Sequence, residues 1–220
     1  MKKKYFPIFL LVLFTLLNCV FANSNNFEDS SKNKYVNLFD LIRYEVVKEL
    51  KQEGVSERDI NNLMEKLDNG ELWDCMKDEY RDLRPQIDTD RYKKTIYPDG
   101  SFKIAEIKPI NGVSIRSMIP ENKYTAKLNL GAVRLSFDID ATRDTSARRA
   151  RIERQYNKNI YTVAGTYSED AYGHDYGWKP EAHAWLAIYA KGKDNLRETR
   201  LWVRAHVNGN RIWTETSGGF

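Results

Sequence analysis

The sequence predicts an α+β protein, an N-terminal helical hairpin followed by an antiparallel β-sandwich. Three observations carry that reading. Apolar residues recur at helical spacing from Leu38 to Leu67. Beyond Pro85 the pattern changes to short alternating runs separated by Pro, Gly, Asn and Asp. Near the C-terminus, Leu201–Val207 and Asn210–Thr216 flank Asn208-Gly209, a dipeptide that favours a two-residue hairpin turn because both residues tolerate positive φ.

The chain has 220 residues, enough for one ordinary domain and a small appendage. With 41% hydrophobic and 30% charged residues, it has the composition of a globular chain. Lys2, Lys3 and Lys4 supply three of the formal net charges of +4, so the rest is nearly neutral. A bulk basic surface for nucleic acid is therefore not expected.

Met1–Ala22 has the form of a signal peptide: three lysines, an apolar run from Tyr5 to Leu17, and Val20-Phe21-Ala22 ahead of a cleavage site after Ala22. The expected destination is outside the cell. A lipoprotein anchored at Cys19 is the alternative, because Leu16-Leu17-Asn18-Cys19 is similar to a lipobox, although Asn18 departs from the small residue such a box carries. An uncleaved membrane anchor is a third. With the signal removed, Cys75 is the lone thiol and no intramolecular disulfide can form. That suits an exported protein of a Gram-positive bacterium. Residues 23–34, rich in Asn, Ser and charge, read as a flexible leader.

Residues 35–84 are the helical hairpin. Leu38, Ile42, Val46 or Val47, and Leu50 form the first apolar stripe, which Gly54 ends. Ser56 caps the second helix, with Asp59 three residues on. Ile60, Leu63, Met64 and Leu67 form its stripe, and Asn69-Gly70 ends it. Glu71 to Leu83 is expected to add a short third helix. Helices of this length need something to pack on. Cys75 reads as a small, half-buried apolar residue and not as a nucleophile.

After a linker over 85–91, residues 92–220 form the β-domain. Strands are expected at Tyr92–Tyr97, around Phe102–Ile107, at Val113–Ile119, Tyr124–Leu130 and Val133–Ile139, around Ile160 and Val163, and at Ala182–Ala190. Pro98-Asp99-Gly100 and Asn111-Gly112 are turn signals between them. Ser168–Pro180 reads as a polar, aromatic loop. For the closing hairpin a two-residue loop sets Ala205 opposite Ile212, Val203 opposite Thr214 and Arg204 opposite Trp213. One of its faces is then aliphatic and the other aromatic and charged.

Two stretches are familiar in combination: Gly54-Val55-Ser56 followed by Lys66-Leu67-Asp68-Asn69-Gly70-Glu71-Leu72-Trp73-Asp74, and Tyr97-Pro98-Asp99-Gly100-Ser101-Phe102. Together they resemble a group of uncharacterised secreted proteins of Gram-positive bacteria, in which a helical hairpin precedes a strand-rich half. The resemblance implies secretion and a β-rich C-terminal half, and it brings no activity.

The main candidate site is aromatic. His183, Trp185 and Tyr189 share one strand face, while Ala184, Leu186 and Ile188 share the other. Trp202, Arg204, His206 and Trp213 repeat the arrangement on the hairpin, with Arg204 placed to lie over Trp213. Tyr172, Tyr176 and Trp178 would extend the surface. Flat rings with polar rims suit sugar rings and bilayer interfaces. The competing reading puts this face inside the sandwich or under the helical hairpin.

Three further constellations are weaker. Asp138, Asp140, Thr142 and Asp144 alternate as at the start of a calcium loop, but Arg143 stands where the sharp-turn glycine belongs, so they read as strand-end charges paired with arginines. Glu181, His183 and His206 could converge on zinc, but the chain has no Cys/His cluster, and strand-face histidines beside tryptophans are usually surface or packing residues. Arg143, Arg148, Arg149, Arg151 and Arg154 read as a solvated basic loop. The chain has no nucleophile elbow, phosphate loop, dinucleotide fingerprint or His-Glu-x-x-His. No cofactor and no metal are called for. The expectation is a secreted, non-catalytic binding protein whose partner is cell-wall glycan, a membrane surface or another protein. A membrane-active toxin and a cell-wall hydrolase are the alternatives.

Overall fold

A computed structural model describes residues 38–110, 122–163, 165–191 and 198–217. The expected signal, the leader, the Asn111-Gly112 turn and the strand at 113–119 lie outside these residues. Among the described residues no helix is long and apolar enough to cross a membrane.

Among the described residues two helices lead, α1 (Leu38–Gln52) and α2 (Glu57–Asp68). Their stripes are buried at Val46, Leu50, Ile60, Leu63 and Met64. Ser56 caps α2: its Oγ accepts from the Asp59 backbone N–H at 3.2 Å and donates to Asp59 Oδ2 at 2.7 Å. The third helix does not form. Two separate 3₁₀ turns, Asp74–Met76 and Asp78–Tyr80, take its place. Trp73 is extended there, its ring is buried, and its Nε1 donates to the Leu63 carbonyl at 2.8 Å. The next two backbone N–H groups donate to a different segment, Asp74 N to Asp99 Oδ2 and Cys75 N to Ser101 Oγ. Tertiary bonds thus override the local helical pattern.

Among the described residues ten antiparallel strands follow in two sheets. β1 (Ile87–Asp88), β2 (Tyr92–Ile96), β3 (Phe102–Pro109), β4 (Asn122–Asn129), β5 (Val133–Asp144) and β6 (Arg149–Thr162) lie side by side in chain order. β7 (Thr166–His174), β8 (Glu181–Lys191), β9 (Glu198–Asn208) and β10 (Ile212–Thr216) form the second sheet, also in chain order. The protein is mostly β, with the helices segregated at the start of the chain. One apolar core draws on both sheets: Leu128, Leu135, Phe137 and Ile139 from the first, and Leu186, Ile188, Val203 and Val207 from the second. The helices are tied to the six-stranded sheet. Lys94 Nζ donates to Glu53, and Asn129 and Arg134 both reach Glu49.

Three strand expectations change. The linker over 85–91 carries a short strand, β1, paired with β2. Ser168–Pro180 is not one loop: β7 runs through to His174, leaving a loop over 175–180. β7 is a sheet edge with an irregularity between Glu169 and Ala171, and its residues 166–170 are all exposed, so no alternation marked it. The hairpin register also differs. Trp213 pairs with His206, Thr214 with Ala205 and Glu215 with Arg204, two residues from the expected alignment. The cause is Asn208. Its Oδ1 accepts from the backbone N–H of Asn210 and of Arg211, both at 2.9 Å, and holds a longer turn. Neither Asn208 nor Gly209 adopts positive φ. A slip of two residues preserves the faces, so the sorting of aliphatic from aromatic side chains survives.

Candidate functional site

β8 sets the site's geometry by simple alternation. Ala182, Ala184, Leu186 and Ile188 are fully buried, while Glu181, His183, Trp185 and Tyr189 on the opposite face are half-buried. β9 repeats this, with Leu201, Val203, Ala205 and Val207 in the core. Cross-strand pairing lays the other face out in rows. Trp213, His206 and His183 form one row. Glu215, Arg204, Trp185 and Gly173 form the next. Trp202 then pairs with Ala187, and Arg200 with Tyr189. Gly173 lets Trp185 lie across β7, for a Cβ there would stand 3.3 Å from the indole ring.

The predicted aromatic residues divide. His183, Trp185, Tyr189, Arg204 and Trp213 share the one face. Tyr172 does not. It pairs with Leu186 on the core side and meets Phe137 edge-on, with Lys158 over its ring at 4.8 Å. The β7 irregularity, invisible in the sequence, sets that direction. Arg204 lies over Trp202 at 5.5 Å, and Arg211 takes the place over Trp213 at 4.3 Å, as the shifted register requires. Tyr176, in the 175–180 loop, is 83% exposed. Trp178 is 37% exposed and lies beneath two guanidinium groups, Arg149 at 4.8 Å and Arg151 at 5.2 Å. The loop is fixed there by paired backbone bonds between Lys179 and Ala150. The basic run is not a loop: Arg143 lies on β5 and Arg149, Arg151 and Arg154 lie on β6, with two of them joined to the aromatic loop.

At one end of this face stands a cluster of titratable groups. His183 and His206 are a cross-strand pair with rings perpendicular and centroids 4.8 Å apart. Glu181 Oε1 lies 3.0 Å from His183 Nε2 and 2.8 Å from His206 Nδ1. Asp175 Oδ2 sits 2.7 Å from His183 Nδ1 and also accepts from the His183 backbone N–H at 3.0 Å. Glu215 Oε2 is 3.1 Å from His206 Nε2, but outside hydrogen-bond geometry. Trp213 stacks on His206 at 4.9 Å and 16°. His206 is buried, whereas the His183 and Glu181 side chains are 31% and 40% exposed. Burial pushes the Glu181 carboxyl upward, but hydrogen bonds from His206 and His183 outweigh it and hold the group below its usual range. The sequence places Glu215 on the hairpin's aromatic and charged face, opposite Trp202, but the shifted register pairs it with Arg204 and brings it to His206, and nothing in the sequence points Asp175, in a loop, at His183.

The remaining constellations are paired internally. Asp138 accepts from Thr125 and Asn157. Asp140 accepts from Arg154 and Tyr156. Asp144 accepts from Ser146, Ala147 N and Arg149, and is held down at about 2, chiefly by the Ser146 hydroxyl. These oxygens are strung along β5 rather than gathered round a point. The Cys75 thiol is pushed up to about 12 by burial, which keeps it protonated and unreactive. A cleft of about 470 Å³ beside α2 is lined by Asn62, Lys66 and Asp99 among others, and the last two are paired with each other.

No family model matches the chain, and no curated protein matches it. Among solved structures it is similar to a hypothetical protein of Listeria monocytogenes, with 15% identity, over 57% of this chain and 92% of that one, at a TM-score of 0.33.

Proposed function

We propose that the protein is an exported, non-catalytic binding protein that engages cell-wall glycan. The contact surface is the outward face of the four-stranded sheet together with the 175–180 loop. In this reading the two sheets are the halves of a β-sandwich, and the N-terminal segment directs export. The observation that carries it is Tyr176, 83% exposed beside Trp178. The Tyr176 ring meets the His174 ring at 5.1 Å and keeps the rest of its surface open to a ligand. Pyranose rings offer apolar C–H faces to such rings, and their hydroxyls bond to polar rims. Arg149 and Arg151 over Trp178 are paired with Asp144 and Glu153, so they offer guanidinium N–H donors beside the ring rather than net charge.

The test is sedimentation with purified Gram-positive cell walls. Tyr176→Ala, alone and with Trp178→Ala, is expected to reduce retention about tenfold, a loss of roughly 1.4 kcal/mol, while Tyr176→Ala leaves the melting temperature unchanged. Equal retention of the double variant would sink the reading. Retention on anionic liposomes but not on walls would transfer the same surface to a membrane.

A further inference from the structure

We infer that Glu181, His183 and His206 form a site for a first-row divalent cation of the zinc class. The donors are His183 Nε2, His206 Nδ1 and a Glu181 carboxylate oxygen. The ligand atoms of these three residues lie within 4.8 Å of one another. Zinc bonds of about 2.0–2.1 Å at tetrahedral angles set ligand atoms roughly 3.3 Å apart. To admit an ion, the observed contacts of 3.0 and 2.8 Å to Glu181 Oε1 open slightly, and the two imidazole nitrogens, within 4.8 Å of each other, draw together.

The donor count favours a cation. Four imidazole nitrogens face carboxylate oxygens: two face Glu181, one faces Asp175 and one faces Glu215. Two neutral imidazoles own only two N–H groups between them. The hydrogen bonds to Glu181 therefore use N–H groups that Asp175 and Glu215 then lack. A cation bound to His183 Nε2, His206 Nδ1 and Glu181 takes the place of those protons and leaves both N–H groups on the outer nitrogens, facing Asp175 and Glu215. Three carboxylates also surround two rings, a local negative excess that a divalent ion offsets. As the site stands, His206 Nε2 is buried without a hydrogen bond.

The surrounding groups fit the same role. An outer carboxylate on a metal-binding histidine fixes its tautomer and raises its basicity. Asp175 is placed to do this for His183 at 2.7 Å, and its own position is held by the His183 backbone N–H. Glu215 lies on the corresponding side of His206, whose ring is clamped by Trp213. Two imidazoles and one carboxylate select zinc, cobalt or nickel over calcium or magnesium, which take oxygen ligands. Glu181 and His183 are half-exposed, so solvent can reach an ion bound there.

The site does not depend on glycan binding, and its test reads the metal alone. Purified protein without a histidine tag is titrated with cobalt(II), then with zinc(II), at neutral pH. One equivalent of cobalt is expected to bind with the intense visible bands of a four- or five-coordinate ion, and zinc to displace it and raise the melting temperature. His183→Ala and Glu181→Gln, both at half-exposed positions, are each expected to weaken binding about tenfold or more. His174→Ala, at the third histidine, leaves it unchanged. Folded wild-type protein that gives neither visible bands nor zinc-binding heat overturns the inference, as does binding that survives the His183→Ala/Glu181→Gln pair.

Discussion

Lys103 is a buried lysine. It lies on β3 opposite Thr95, is 2% exposed, and reaches the Ser217 carbonyl at 3.5 Å. Burial lowers its pKa to about 8, and repulsion from Lys93 acts in the same direction. An unfolded lysine titrates near 10.5. Between these values the unfolded chain holds a proton that the folded chain has released, so stability rises with pH across that window. Below about 8 the buried charge is a constant cost. Lys103→Met is therefore expected to stabilise the fold at neutral pH, by up to about 3 kcal/mol. The advantage shrinks as the pH rises from about 8 and is gone above about 10.5. Urea unfolding of both proteins across this range checks it, and an advantage that persists in alkali would show that burial of the charge is not its source.

Among the elements, the β9–β10 turn has a second task. Gly209 is buried, and a Cβ there would stand 2.8 Å from Arg148 Cα and 2.9 Å from the Asp144 carbonyl oxygen. The turn is thus docked on the β5–β6 hairpin, and the obstructing atoms are backbone. Gly209→Ala is expected to cost roughly 1–3 kcal/mol by overpacking, whereas Asn210→Ala, at an exposed position, costs little. Thermal melts of the two variants separate close approach from turn propensity. This turn also shows what the sequence discloses. Alternation along β5, β8 and β9 is legible because one face is dry and the other is not. The same parity places His183, Trp185, Tyr189 and Trp213 on one side. Register is less legible, since Asn208 spends its side chain on the turn rather than on positive φ. β7 escaped because an exposed edge strand carries no alternation. The carboxylates behind the two histidines escaped because sequence distance hides what Asp175 and Glu215 approach.

At the scale of the molecule, one ionic knot joins the helical pair to the six-stranded sheet, and it uses both of the familiar stretches. Asp99, from the Tyr97–Phe102 turn, accepts from Lys66 Nζ at 2.8 Å, Asp74 N at 2.9 Å, Ser101 N at 3.0 Å and Ser101 Oγ at 2.6 Å. Lys77 also reaches Asp74 at 2.8 Å. With Leu50 and Trp73 in the same core as the strands, the helices and sheets should unfold together. Burial acts to raise the Asp99 pKa, but the Lys66 and Ser101 hydrogen bonds outweigh it and hold the pKa below the ordinary 3.8. The carboxylate's contribution is then fully present above pH 3.8 and is lost as pH falls through the lower folded value. Asp99→Asn leaves Lys66 without its nearest carboxylate and is expected to cost about 2–3 kcal/mol at neutral pH. The variant should also show a shallower fall of stability in acid than the wild type. Far-ultraviolet dichroism and tryptophan fluorescence should give coincident transitions in both proteins. If the helical signal melts before the tryptophans in the wild type, the helices are an appendage and the knot does not couple the two halves.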